Sequence, residues 1–192
     1  MKKKGLAMVL ALVLLAVCAV SGTLAWLTAK SDEVTNTFTA SDIEVKLDET
    51  KGTTVTGGKE FKMIPGYTIS KDPKATVLAG SEECYLFVKL EKSQNFDTFL
   101  TYEMAEGWKS VPGETNVYYR KVQTAGIGTA YSVLKDDQVT VKGEVTKAMM
   151  DGLTTETLPK LTVTAYASQL HKNATTEFTA AEAWENVNPT NP

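Results

Sequence analysis

Asp42-Ile-Glu-Val-Lys-Leu-Asp-Glu49 places Ile43, Val45 and Leu47 on one side of an extended chain and Glu44, Lys46 and Asp48 on the other. An apolar–charged alternation with period two marks a strand half buried in a sheet. The pattern returns in residues 161–168, where Leu161, Val163, Ala165 and Ala167 alternate with Thr162, Thr164, Tyr166 and Ser168. Between the two, Cys84-Tyr-Leu-Phe-Val-Lys-Leu90 reads as a central strand.

Outward from these strands, turn signals divide the chain at Gly57-Gly58, Gly80-Ser81, Pro112-Gly113 and residues 126–128. Pro65-Gly66 fits the middle of a type II turn, proline fixing φ and glycine supplying φ > 0. Further strands are expected at 61–64, 75–79, 117–122, 131–134 and 139–145, and one through Phe99, Tyr102 and Met104. Tyr118 and Tyr119 send one ring to each face, so at least one belongs to the core. Residues 146–151 suit a single helical turn closed by Gly152. About ten strands with closely spaced turns give an all-β fold, an antiparallel β-sandwich of jelly-roll or immunoglobulin-like type. The convincing helix is C-terminal, at 179–187: Thr179 and Glu182 form a capping box, Phe178 and Ala183 a hydrophobic staple, and Pro189 ends it. It is expected to pack Trp184 on the sheets.

The N-terminus has a different chemistry. Lys2, Lys3 and Lys4 precede residues 5–20, which carry no charge. A basic n-region and an apolar h-region of this length make a signal peptide, here residues 1–25. The small Thr23 and Ala25 set the cut between Ala25 and Trp26. An uncleaved helical anchor over 5–27 is the alternative, since about 20 apolar residues cross a bilayer. Leu15-Ala-Val-Cys18 looks like a lipobox, but Val17 is larger than the small residue such a site needs before its cysteine. Residues 26–40 follow, without proline or glycine and rich in threonine. Fully extended they reach roughly 50 Å, with Val34, Asn36, Phe38 and Ala40 on one face. Residues 41–192 then make the single folded domain.

Gly22-Thr-Leu-Ala-Trp-Leu-Thr28, Val34-Thr-Asn-Thr-Phe-Thr-Ala40, Met63-Ile-Pro-Gly-Tyr67 with Lys71-Asp-Pro73, Ala165-Tyr-Ala-Ser-Gln169 and Ala180-Ala-Glu-Ala-Trp184 occur in order. In this order and spacing the chain resembles the TasA/camelysin-type secreted proteins over nearly its whole length. The resemblance implies a bacterial protein that is secreted or held at the cell surface, with a signal peptide cut by a SipW-type signal peptidase. It also implies a structural role in an extracellular matrix or biofilm. There, the segment freed by signal cleavage adds as a strand to a neighbouring subunit, with Val34, Asn36, Phe38 and Ala40 as the inserted face.

The composition supports no competing chemistry. The formal net charge is −3, and removing residues 1–25 takes away three lysines and no acid, so no basic footprint for nucleic acid or for an anionic membrane surface remains. Membrane contact is expected only through the signal or anchor segment. Of two cysteines, Cys18 leaves with the signal and Cys84 is read as a buried structural thiol, the alternative being an intermolecular disulfide or a reactive thiol. His171 is the only histidine and sits in a polar strand exit, so the zinc chemistry that the camelysin name suggests lacks its ligands. The acidic pairs Glu82-Glu83 and Asp136-Asp137 read as solvated turns. The chain is therefore read as a non-enzyme without cofactor or metal, a self-associating matrix subunit. The alternative is a monomeric secreted or anchored binding module whose loops near Trp108 and 126–128 hold a glycan or a protein.

Overall fold

The computed structural model describes residues 42–188. Antiparallel strands dominate them, with a few short helices. The first strands are β1 (Val45–Asp48), β2 (Thr53–Val55), β3 (Gly58–Glu60), β4 (Thr68–Ser70), β5 (Lys74–Val77) and β6 (Cys84–Lys92). Then come β7 (Leu100–Thr101), β8 (Lys109–Ser110), β9 (Val117–Val122), β10 (Ala130–Ser132) and β11 (Gln138–Val141). The last are β12 (Leu161–Gln169), β13 (His171–Asn173) and β14 (Thr176–Glu177). Short helices occupy Phe96–Phe99, Lys147–Asp151 and Ala180–Glu185.

The main sheet runs β12-β6-β9-β8, with three-stranded sheets β1-β5-β10 and β4-β11-β7 and the hairpins β2-β3 and β13-β14 around it. Its centre is β6, which pairs with β12 over nine residues and with β9 over six. Successive side chains of a strand point to opposite faces, and β6 buries both. Cys84, Leu86, Val88 and Leu90 are fully buried against Ala75 and Val77 of β5 and Val139 and Val141 of β11. Tyr85 and Phe87 face the other way, into Val111, Val117, Leu170 and the C-terminal helix. Tyr118 packs on the first cluster and Tyr119 on the second, one ring per face as the sequence requires.

The C-terminal helix is six residues long, too short to persist without tertiary packing. Trp184 anchors it, with ring centroids 5.3 Å from Phe87 and 5.2 Å from Tyr166. The capping box forms as read: Glu182 N–H donates to Thr179 Oγ1 at 3.3 Å and Thr179 N–H to Glu182 Oε2 at 2.8 Å. The helix is shorter than the 179–187 expected, because Thr179 is its cap and Asn186 ends it.

Five expected strands are shorter or different: 75–79 is Lys74–Val77 and 131–134 is Ala130–Ser132, and three depart further. Residues 61–64 join no ladder. Instead the Phe61 ring lies beneath Lys71 Nζ, and the chain enters the Pro65-Gly66 turn, whose Tyr67 N–H donates to Ile64 O at 3.0 Å with Gly66 at φ 75°. Phe99 belongs to the Phe96–Phe99 helix, since Phe96 and Phe99 both bury their rings from one turn, and Met104 makes only a single bridge to Leu134. The 139–145 strand stops at Val141, where Lys142 and Val145 close a turn around Gly143. One buried anchor falls in the Lys71-Asp-Pro73 motif, though the motif did not reveal its role. Asp72 is 5 % exposed and accepts from Thr50 N–H (3.0 Å), the Thr50 hydroxyl (2.6 Å) and Lys51 N–H (2.8 Å), tying the chain after β1 to the start of β5.

Trp184→Ala empties the second cluster and is expected to cost about 3–5 kcal/mol of stability, measured by denaturant unfolding. Bonds from Lys172 Nζ, and then from Thr179, lower the Glu182 pKa from 4.5 to about 2. A depressed carboxylate stabilises the fold above its ordinary pKa, and that contribution fades as pH falls from about 4.5 toward 2. Acid titration of Trp184 fluorescence is expected to show the helix loosening in that window, and Glu182→Gln is expected to remove this contribution at neutral pH already.

Candidate functional site

The residues expected to be cut or donated, Ala25, Trp26, Val34, Asn36, Phe38 and Ala40, lie outside the described residues. The described part offers the other half of such a contact, an open strand edge. β12 is the last strand of the main sheet and pairs only with β6 among the described residues.

The backbone parity of that edge follows from two bonds. Leu170 N–H donates to Glu83 O (3.2 Å) and Ser93 N–H to Lys160 O (3.0 Å). Directly opposed antiparallel residues alternate between bonded and non-bonded pairs. Thr162, Thr164, Tyr166 and Ser168 therefore share the bonds with β6, and the N–H and C=O groups of Leu161, Val163, Ala165, Ala167 and Gln169 turn to the free side. At about 3.3 Å per residue the edge is roughly 30 Å long.

Proteins usually guard such an edge with charge, proline, a bulge or brevity. β12 has none of these: no charged residue, no proline, and an unbroken register from Leu161 opposite Lys92 to Gln169 opposite Cys84. The other sheet edges are at most four residues long, and β1 also carries Lys46 and Asp48. Sequence reasoning found this strand but not its position at an edge. The available signal was nine residues without charge or proline.

The side chains on this edge are incompletely covered. Leu161, Val163, Ala165 and Ala167 pack on the first core cluster yet are only half-buried, while Leu86, Val88 and Leu90 one strand away are at 0 %. β1 packs beside β12, and its Ile43, Val45 and Leu47 are half-buried in the same way. Leu78 N–H donates to Glu44 O, so the same parity turns the backbone groups of Ile43, Val45 and Leu47 outward. Among the described residues, two neighbouring edges thus leave one side of the apolar core only half-covered.

The remaining candidates have local roles. Cys84 is fully buried and burial pushes its thiol up to about 11, which leaves it unreactive at neutral pH. His171 is exposed, 3.6 Å from Glu83. Glu83 caps Thr124, accepting from its N–H and its hydroxyl, and those bonds lower its pKa. Asp136 and Asp137 sit in a tight turn at φ 55° and 53°, with Lys74 3.8 Å from Asp137. Among the described residues no three His, Cys, Asp or Glu side chains gather as a metal site, and no helix is long and apolar enough to cross a membrane. No family model, curated protein or solved structure matches this chain.

Proposed function

We propose that this chain is a secreted structural protein of a bacterial cell surface or extracellular matrix, a fibre subunit that assembles by strand donation. In this reading a SipW-type signal peptidase frees the segment beginning at Trp26. Residues 34–40 then add to a neighbouring copy, with Val34, Asn36, Phe38 and Ala40 turned to its core. The domain they join is a β-sandwich of jelly-roll or immunoglobulin-like type, and it performs no catalysis.

The observation that carries the reading is the nine-residue, uncharged β12 edge above a half-covered core. An added strand satisfies the outward backbone groups, and its inward side chains remove the exposed apolar surface of Val163, Ala165 and Ala167 from water. That is β-augmentation, with affinity from the main chain and register from alternate side chains. Donor and acceptor surfaces differ, so the contact is head-to-tail and extends without closing.

Protein beginning at Trp26 is expected to form sedimenting filaments, and protein beginning at Ser41 to stay monomeric, by analytical ultracentrifugation and electron microscopy. Equal monomers from both, with equal stability, would sink strand donation. Ala165→Pro tests the acceptor separately, because proline there removes an outward N–H and spares the bonds to β6. The expected variant is a folded monomer by circular dichroism that neither extends filaments nor accepts a peptide spanning 34–40.

A further inference from the structure

The described chain begins beside the open edge. Asp42 O accepts from Glu82 N–H at 3.4 Å, and Glu44 is held to the same loop twice: its C=O accepts from Leu78 N–H at 2.9 Å, and its N–H donates to Ser81 Oγ at 3.0 Å. The next residue of that loop, Glu83, takes the N–H of Leu170, which directly follows β12. Loop 78–83 therefore gathers the start of β1 and the end of β12. From it the two strands run in opposite senses, β1 leading away to Asp48 and β12 arriving from Leu161. The segment that precedes Asp42 thus leaves the folded domain at the Gln169 end of β12.

This exit point limits how residues 34–40 can lie on a neighbouring copy. A segment parallel to the β12 it joins would put Ala40 at the neighbour's Gln169 end, where the neighbour's own segment also departs. Like ends would meet, and two copies exchanging segments would close as a dimer. An antiparallel segment puts Ala40 at the neighbour's Leu161 end instead, and the chain runs on from β1 without reversing. No glycine or proline occurs in residues 26–51, so the strongest turn formers are absent between the donor face and β1. Antiparallel pairing also holds slightly better per residue. In that arrangement unlike ends meet, Gln169 of one copy toward Leu161 of the next, and the contact repeats without closing.

We infer that residues 34–40 of one copy lie antiparallel on β12 of the next, and that the filament grows along the direction of its strands; the inference rests on the strand-donation reading above. Directly opposed residues share a face of the sheet. Val34, Asn36, Phe38 and Ala40 therefore stand opposite odd-numbered residues of β12, whose backbone groups are the outward ones. The threonines between them fall on the other face, Thr39 near Thr162 and Thr35 near Ser168. Each copy advances the filament by at least the length of the edge, roughly 30 Å. The strands lie along the fibre, whereas in cross-β packing they lie across it.

Two double variants of the chain beginning at Trp26 test the orientation, and both use the exposed Thr162. Thr39→Cys with Thr162→Cys is expected to give, on mild oxidation, a ladder of covalent oligomers on a non-reducing gel that a reductant collapses. Thr35→Cys with Thr162→Cys is expected to give no ladder. Cys84 is fully buried and does not compete. Fibre diffraction from the unmodified protein is expected to place the spacing between paired strands, about 4.8 Å, on the equator. With filaments present, a ladder from the Thr35 variant, a ladder from neither, or a covalent product that stops at the dimer or stays within one chain would each overturn the antiparallel arrangement. So would the same reflection on the meridian. Those results leave strand donation itself to its own truncation test. Absence of filaments from the unmodified protein would overturn both readings together.

Discussion

The two-sided burial of β6 is the constraint on which the rest of the fold depends. A strand apolar on one face needs one layer of cover, but Leu86 and Val88 on one side and Tyr85 and Phe87 on the other require two. The three-stranded sheets supply the first layer. A helix of only six residues supplies the second, held by one tryptophan and a capping box. Most of the apolar stabilisation, about 1.5–3 kcal/mol for each large side chain fully removed from water, is therefore concentrated within one strand of the centre.

Away from that centre the cover thins toward β12, where the same apolar face continues but the neighbouring strands among the described residues end. This difference gives the molecule its directional character. Among the described residues the core is closed at β9 and only half-covered at β12. The opposite end of the sheet is the two-residue β8, a far shorter edge that carries the exposed Lys109.

Much of this was legible in the sequence. The alternation in residues 43–47 and 161–168 identified two strands and the faces they bury, and Val117–Val122 was located to the residue. The type II turn and the capping box were also readable, because they depend on side chains a few positions apart. Long-range facts were not readable in this way. Asp72 accepts bonds from residues 21 and 22 positions away, and nothing near it in sequence marks it as an anchor. Phe99 and Tyr102 look like strand residues until their neighbours bury Phe96 from a helical turn. Strand order, which makes β12 an edge, lies outside any local pattern. The same holds for Arg120: it is the one arginine in the sequence, but the rings that flank it come from Trp108, just before β8, and Tyr131, on β10.

The pairing of β12 with β6 also fixes an order of events. Gln169 stands opposite Cys84 and Leu161 opposite Lys92, so the main sheet is closed by contacts between distant parts of the chain. Non-local pairing of this kind is slow, since a long loop must be closed before any bond is gained. The central sheet cannot close until residues 161–169 are present to pair with residues 84–92, so the strand on which both core clusters depend waits for one of the last strands in the chain.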